Sequence, residues 1–155
     1  MKLKIFTLLL VLGAAWSLYS CDNNDDESIT VPVELQNAFS SKYPNAANVK
    51  WENNSGYYVA DFYDGYEASA WFTQDGRWQM TKTDIPYIVL PQAVKTSFEA
   101  TEYATSWKQD DVDKLEREGV ETVYVIEVEK QNQELDLHYS EDGVLIKSVV
   151  DKDKG

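Results

Sequence analysis

The chain has 155 residues, with 14 Lys and Arg against 27 Asp and Glu, and a formal charge of −13 at neutral pH. That length supports one ordinary domain or two small ones. So acidic a surface repels phosphate backbones, which argues against nucleic-acid binding, and no basic patch favours an anionic lipid surface.

The chain opens with Lys2 and Lys4, followed by an apolar run from Ile5 to Leu18 and then by Cys21, the only cysteine. This is the layout of a secretory signal peptide. As a helix the run would span roughly 21 Å, short of the roughly 30 Å of bilayer hydrocarbon. Leu18-Tyr19-Ser20-Cys21 resembles the lipobox of bacterial lipoproteins. The resemblance implies cleavage before Cys21 and its acylation, hence a protein held in the cell envelope by lipid, in the periplasm or at the outer-membrane surface. Membrane contact is then expected through the anchor alone. An ordinary signal peptide with an unrelated cysteine is the competing reading. Removing residues 1–20 takes away two lysines and leaves 135 residues with a charge near −15.

Asp22 to Ser28 contains no apolar residue. Such a stretch has nothing to bury, so residues 21–30 read as a flexible acidic tether. Acidic stretches at this position also resemble the surface-export signals of some Gram-negative lipoproteins. A calcium loop would need a glycine and a distal glutamate at set spacings, and neither is present.

Two stretches of the remaining chain read alike, 31–86 and 87–155. The first opens with Val31-Pro32, the second with Leu90-Pro91, and each proline fits the first position of a helix. Leu35, Ala38, Phe39 and Tyr43 then make one apolar stripe at helical spacing, ended by Pro44. Val94, Ser97, Phe98 and Thr101 repeat the stripe more weakly. Strands follow at Val49–Trp51, Tyr57–Tyr63, Tyr66–Thr73 and Arg77–Thr83, joined at Asn54-Ser55-Gly56, Asp64-Gly65 and Asp75-Gly76. In the second stretch they fall at Asp110–Arg117, Thr122–Glu129, Glu134–Ser140 and Val144–Val150. Asp-Gly between aromatic or apolar runs predicts type I′ hairpin turns. The expected fold is therefore α+β, a tandem repeat of one helix followed by a four-stranded antiparallel meander sheet. Tyr58-Val59-Ala60-Asp61 matches Tyr124-Val125-Ile126-Glu127, and Trp71 to Gly76 matches His138 to Gly143.

Tyr43-Pro44, Val49-Lys50-Trp51, Tyr57-Tyr58-Val59 and the acidic-Gly turn before the last strand resemble a family of small secreted bacterial proteins, beta-lactamase-inhibitor-like and PepSY-like. The resemblance covers nearly all of the mature chain, most clearly residues 31–85. The second stretch departs from it where Tyr103-Ala104 replaces Tyr-Pro. What the resemblance implies is a tandem helix-plus-sheet fold and a non-catalytic binding or inhibitory role.

Catalytic chemistry has few candidates. His138 is the only histidine, Cys21 is expected from the lipobox resemblance to carry lipid, and no Gly-x-Ser-x-Gly elbow or Gly-rich phosphate loop occurs. No metal or cofactor is expected, because one histidine without a cysteine partner makes a poor zinc site. Aromatic residues are the better lead. Strand alternation puts Trp51, Tyr58, Phe62, Tyr66, Phe72 and Trp78, with Ala60, Ala68, Ala70 and Met80, on a helix-covered face. Tyr57, Tyr63 and Trp71 then fall on the open face among Asp61, Glu67, Ser69, Thr73, Arg77 and Thr81. Large rigid rings amid short polar residues suit contact with a protein or peptide. Tyr57, Tyr63, Trp71, Asp61 and Arg77 are the candidate binding residues. A glycan or small ligand stacked on Trp71 and Tyr63 is the alternative.

Overall fold

The computed structural model describes residues 29–150. The signal segment, Cys21 and the tether through Ser28 lie outside them. Helix α1 (Val33–Lys42) leads into β1 (Ala47–Asn54), β2 (Tyr57–Tyr63), β3 (Glu67–Phe72) and β4 (Trp78–Asp84). A 3-10 turn (Tyr87–Val89), α2 (Gln92–Glu99) and α3 (Tyr103–Ser106) come next. The chain then completes β5 (Lys108–Arg117), β6 (Val120–Lys130), β7 (Gln133–Ser140) and β8 (Leu145–Val150). All eight strands form one antiparallel sheet in sequential order, because β4 pairs directly with β5. The fold is thus α+β, with a single eight-stranded sheet.

Cross-strand partners point to the same side of a sheet, so the register identifies the faces. Ala60 pairs with Ala70 and Ala70 with Thr81, while Thr81 pairs with Glu116 in the next strand. Lys114, on the same side, pairs with Tyr124, which pairs with Tyr139. Helices α1 and α2 therefore cover one face. Leu35 and Phe39 of α1 are buried against Ala60, Phe62, Ala70 and Phe72. Val94 and Phe98 of α2 are buried against Val112, Ile126, Leu137 and Tyr139. Phe39 meets Phe62 edge-on with centroids 5.1 Å apart, a favoured aromatic geometry.

Several local expectations are corrected. Pro32 and Pro91 are N-cap residues, not the first helical residues, and their carbonyls accept the first helical N–H bonds. The turns at Asp75-Gly76 and Asp142-Gly143 are not type I′, since only the glycine has positive φ. Gly76 N–H donates to the Thr73 carbonyl and Gly143 N–H to the Ser140 carbonyl, each at 2.9 Å, the pattern of a type I turn closed by a left-handed glycine. The helix α3 was unforeseen. It forms where Ala104 stands in place of the proline that ends α1.

The most consequential difference is a bulge. Trp71 pairs with Met80 but Phe72 pairs with Trp78, so Gln79 is an extra residue in β4. A bulge reverses the inside–outside alternation beyond it. Met80 consequently lies on the open face beside Trp71, and Thr81 lies on the helix face, where it is buried. Both assignments are the reverse of the simple alternation. Tyr66 precedes β3 in the turn and is exposed, although it still borders Phe62, Ala68 and Thr81 of the helix side.

Candidate functional site

The face without helices is built from alternate residues of each strand. In β2 these are Tyr57, Val59, Asp61 and Tyr63, facing Trp71, Ser69 and Glu67 of β3. The structure thus brings Tyr57, Asp61, Tyr63 and Trp71 onto one surface, as expected. Tyr63 is 47% exposed and Tyr57 39%. Trp71 is half-buried, and its cross-strand partner Val59 is only 2% exposed although no helix covers that side. Asp61 accepts a hydrogen bond from Ser69 Oγ at 2.5 Å.

The three rings are not stacked together. Tyr57 and Tyr63 occupy opposite ends of β2, and the Asp61–Ser69 pair separates Trp71 from Tyr63. None of the ring contacts among the described residues involves them. Arg77 does not join the group. It sits in the β3–β4 turn, at the end of β3 away from Tyr63, and its Nε pairs with Asp75 at 2.9 Å.

Beyond β4 the open face changes character. Lys82 of β4 pairs with Asp113 of β5 at 2.9 Å, and Asp84 stands directly opposite Asp113. Extending the Ala68–Thr83 register by one residue sets Glu67 beside Asp84. Three carboxylates therefore run side by side across three neighbouring strands. Burial pushes the Asp113 carboxyl up; the Lys82 ammonium opposes this, and the charges of Asp84 and Asp111 add to it. Burial disfavours the Lys82 ammonium, yet its bond to Asp113 and the charges of Asp113, Asp111 and Asp136 raise its pKa on balance. Carboxylate oxygens of Asp110, Asp111 and Glu127 lie within 4.8 Å of one another. His138 faces Val125 and Lys147 on this side, and burial, helped by Lys147 and Arg117, holds its imidazole below the ordinary value.

Two hollows meet on this surface. One of about 520 Å³ lies over Lys50, Asp61, Ser69 and Lys82. The other, about 540 Å³, lies at the sheet end, where the β2–β3 turn, the segment after β4 and the start of β5 converge. Tyr63, Glu67 and Asp84 line both. The sequence reading missed Lys82, Asp84, Tyr87, Asp110 and Asp111 as site residues. In so acidic a chain single carboxylates carry no signal; only the pairing of strands distant in sequence assembles them.

Residues 56–147 match the model of the beta-lactamase-inhibitor-like, PepSY-like family. Among solved structures, a BLIP-like protein from Bacteroides fragilis is 36% identical with a TM-score of 0.77, over 86% of this chain and 96% of that one. A DUF2874 family protein from Bacteroides ovatus is 32% identical with a TM-score of 0.73, over 79% and 89%. A Bacteroides eggerthii protein, provisionally described as periplasmic, is 28% identical with a TM-score of 0.71, over 78% and 89%. No curated protein matches the chain.

Proposed function

Because the chain belongs to the beta-lactamase-inhibitor-like, PepSY-like family, we propose that it is a non-catalytic envelope protein that binds a protein or peptide through its open sheet face. The observation that carries this reading is the helix-free face bearing Tyr57, Tyr63 and Trp71 beside Asp61. One face of the sheet is occupied by α1 and α2; the other offers large rings to a partner, the residue type that anchors protein interfaces. Inhibition is the form of binding that the family resemblance suggests. Stacking of a sugar between Tyr63 and Trp71 is less well supported, since the Asp61–Ser69 pair separates the two rings.

In the same reading the mature protein is tethered through a lipid on Cys21. The provisional periplasmic description of the Bacteroides eggerthii relative supports an envelope location. The domain from 31 onward is read as two α-β-β-β-β units, 31–86 and 87–155, fused into one sheet. Matching turns support that duplication: Thr73 Oγ1 and Ser140 Oγ each accept a backbone N–H at 3.1 Å, from Arg77 and Val144. Each also donates to the aspartate two residues on, Asp75 or Asp142.

The test is capture of a partner from envelope extract by the full chain, compared with Tyr63→Ala and Trp71→Ala. Loss of the captured protein in both variants, with folding intact by circular dichroism, supports the open face as the contact. Capture that is indifferent to both variants rejects it.

A further inference from the structure

The hollow at the sheet end has a specific chemistry. Its lining includes Tyr63, Tyr66 and Tyr87 together with the carboxylates of Glu67, Asp84, Asp110 and Asp111, and includes no lysine or arginine. Lys108 reaches Asp110 at 3.3 Å and also pairs with Glu129. Among the described residues, Glu67, Asp84 and Asp111 form no ion pair. Asp84 stands opposite Asp113, and like charges directly across a strand pair destabilise a sheet. Two devices deliver these charges. The irregular register between Gln109 and Val112 places Asp110 and Asp111 at the rim, and the turn between β2 and β3 supplies Tyr66, with Glu67 opening β3 directly after it. Concave walls of one sign focus their field on whatever enters, and tyrosine faces attract cations through the ring quadrupole.

We propose that this hollow receives a lysine- or arginine-bearing loop of the partner protein, with Tyr63 as the shared wall between it and the aromatic part of the open face. The proposal rests on the reading of that face as the binding surface. Charge complementarity selects the occupant: an acidic or apolar segment would leave the carboxylates desolvated and unpaired, whereas a basic one neutralises them. Lys82 marks the limit of the basic footprint. Its own pairing with Asp113 leaves less room for a second cation there.

The experiment is an NMR titration of the full chain with the peptide amide Ac-Gly-Arg-Gly-Arg-Gly. Controls are Ac-Gly-Glu-Gly-Glu-Gly and spermidine, and all are repeated on Asp84→Asn/Asp111→Asn. Both aspartates are exposed, so the double variant should fold. The expected result is perturbation centred on Tyr63, Tyr66, Glu67 and Asp84, weakened by salt. It should fall about tenfold in affinity in the double variant, the loss of two screened ion pairs. Absence of shifts at millimolar arginine peptide overturns the proposal. So do equal shifts from the glutamate peptide, tighter binding of spermidine, or unchanged affinity in the double variant. If these failures occur while capture of the partner still depends on Trp71, the hollow is excluded and the open-face reading survives. If capture ignores Tyr63→Ala and Trp71→Ala, that reading falls and this proposal falls with it.

Discussion

The Tyr43 hydroxyl, just past the end of α1, is hydrogen-bonded to Thr81 Oγ1 in the middle of β4. The same Oγ1 accepts a bond from Trp78 Nε1 at 2.8 Å, and Thr81 is 2% exposed. The bulge at Gln79 makes this possible, since it brings Thr81 to the helix face three residues after Trp78, which is also there. Burial raises the Tyr43 pKa, so the phenol stays neutral and available as a donor.

Removing the hydroxyl from the buried Thr81 leaves its two half-buried partners, Tyr43 and Trp78, without their bond to it. Thr81→Val should therefore destabilise the protein by about 1–3 kcal/mol, and Tyr43→Phe, which removes one bond only, by about 0.5–1.5 kcal/mol. Urea unfolding of the two variants checks the order. A Tyr43→Phe loss larger than that of Thr81→Val would mean that ring packing, not the hydrogen bond, dominates.

Gly76 and Gly143 hold equivalent left-handed turns with different surroundings. A Cβ on Gly76 would meet Leu35 of α1 at an ordinary 3.9 Å, whereas one on Gly143 would lie 2.5 Å from the Ala93 carbonyl oxygen of α2. Gly76→Ala should cost about 1–2 kcal/mol from backbone conformation alone. Gly143→Ala should cost about 1–3 kcal/mol more, because α2 must shift. Thermal unfolding of both variants decides it, and equal losses would show that the α2 contact yields freely.

Asp84 opposite Asp113 predicts a stabilising substitution. Asp113 has a folded pKa above its ordinary value of 3.8. A raised acid binds more protons in the folded state, so its contribution to stability falls as pH rises from about 3.8 upward. Asp84→Asn removes part of that repulsion. It should stabilise the protein at pH 7 by about 0.2–1 kcal/mol, with the gain disappearing near pH 3, where the Asp113 carboxyl is protonated and there is no charge left to repel. Calorimetry at the two values tests the sign; a loss at pH 7 or an equal gain at pH 3 contradicts it.

The envelope tether makes a cellular prediction. Cys21→Ala should move the protein from the membrane fraction to the soluble one, because several acyl chains anchor stably where none remains. Mass spectrometry of the wild-type chain should show a lipid adduct on Cys21. An unmodified thiol, or fractionation unchanged by the substitution, rejects the anchor.

What the sequence determined by itself was local. Aromatic and apolar alternation located the eight strands to within a few residues, and the stripe of Leu35, Phe39 and Tyr43 located the face that α1 buries, because periodicity and turn residues act over short separations. Parity within β2 and β3 was enough to put Tyr57, Asp61, Tyr63 and Trp71 on one surface. Tertiary structure decided the rest. The bulge that moves Thr81 inward and Met80 outward depends on how β4 registers against β3, which no residue type announces. The pairing of β4 with β5 makes one sheet of eight strands, sets Asp84 against Asp113, and carries Asp110 and Asp111 to the hollow beside Tyr63. These are contacts between residues far apart in the chain, and their energetics arise only after the sheet has closed the distance between them.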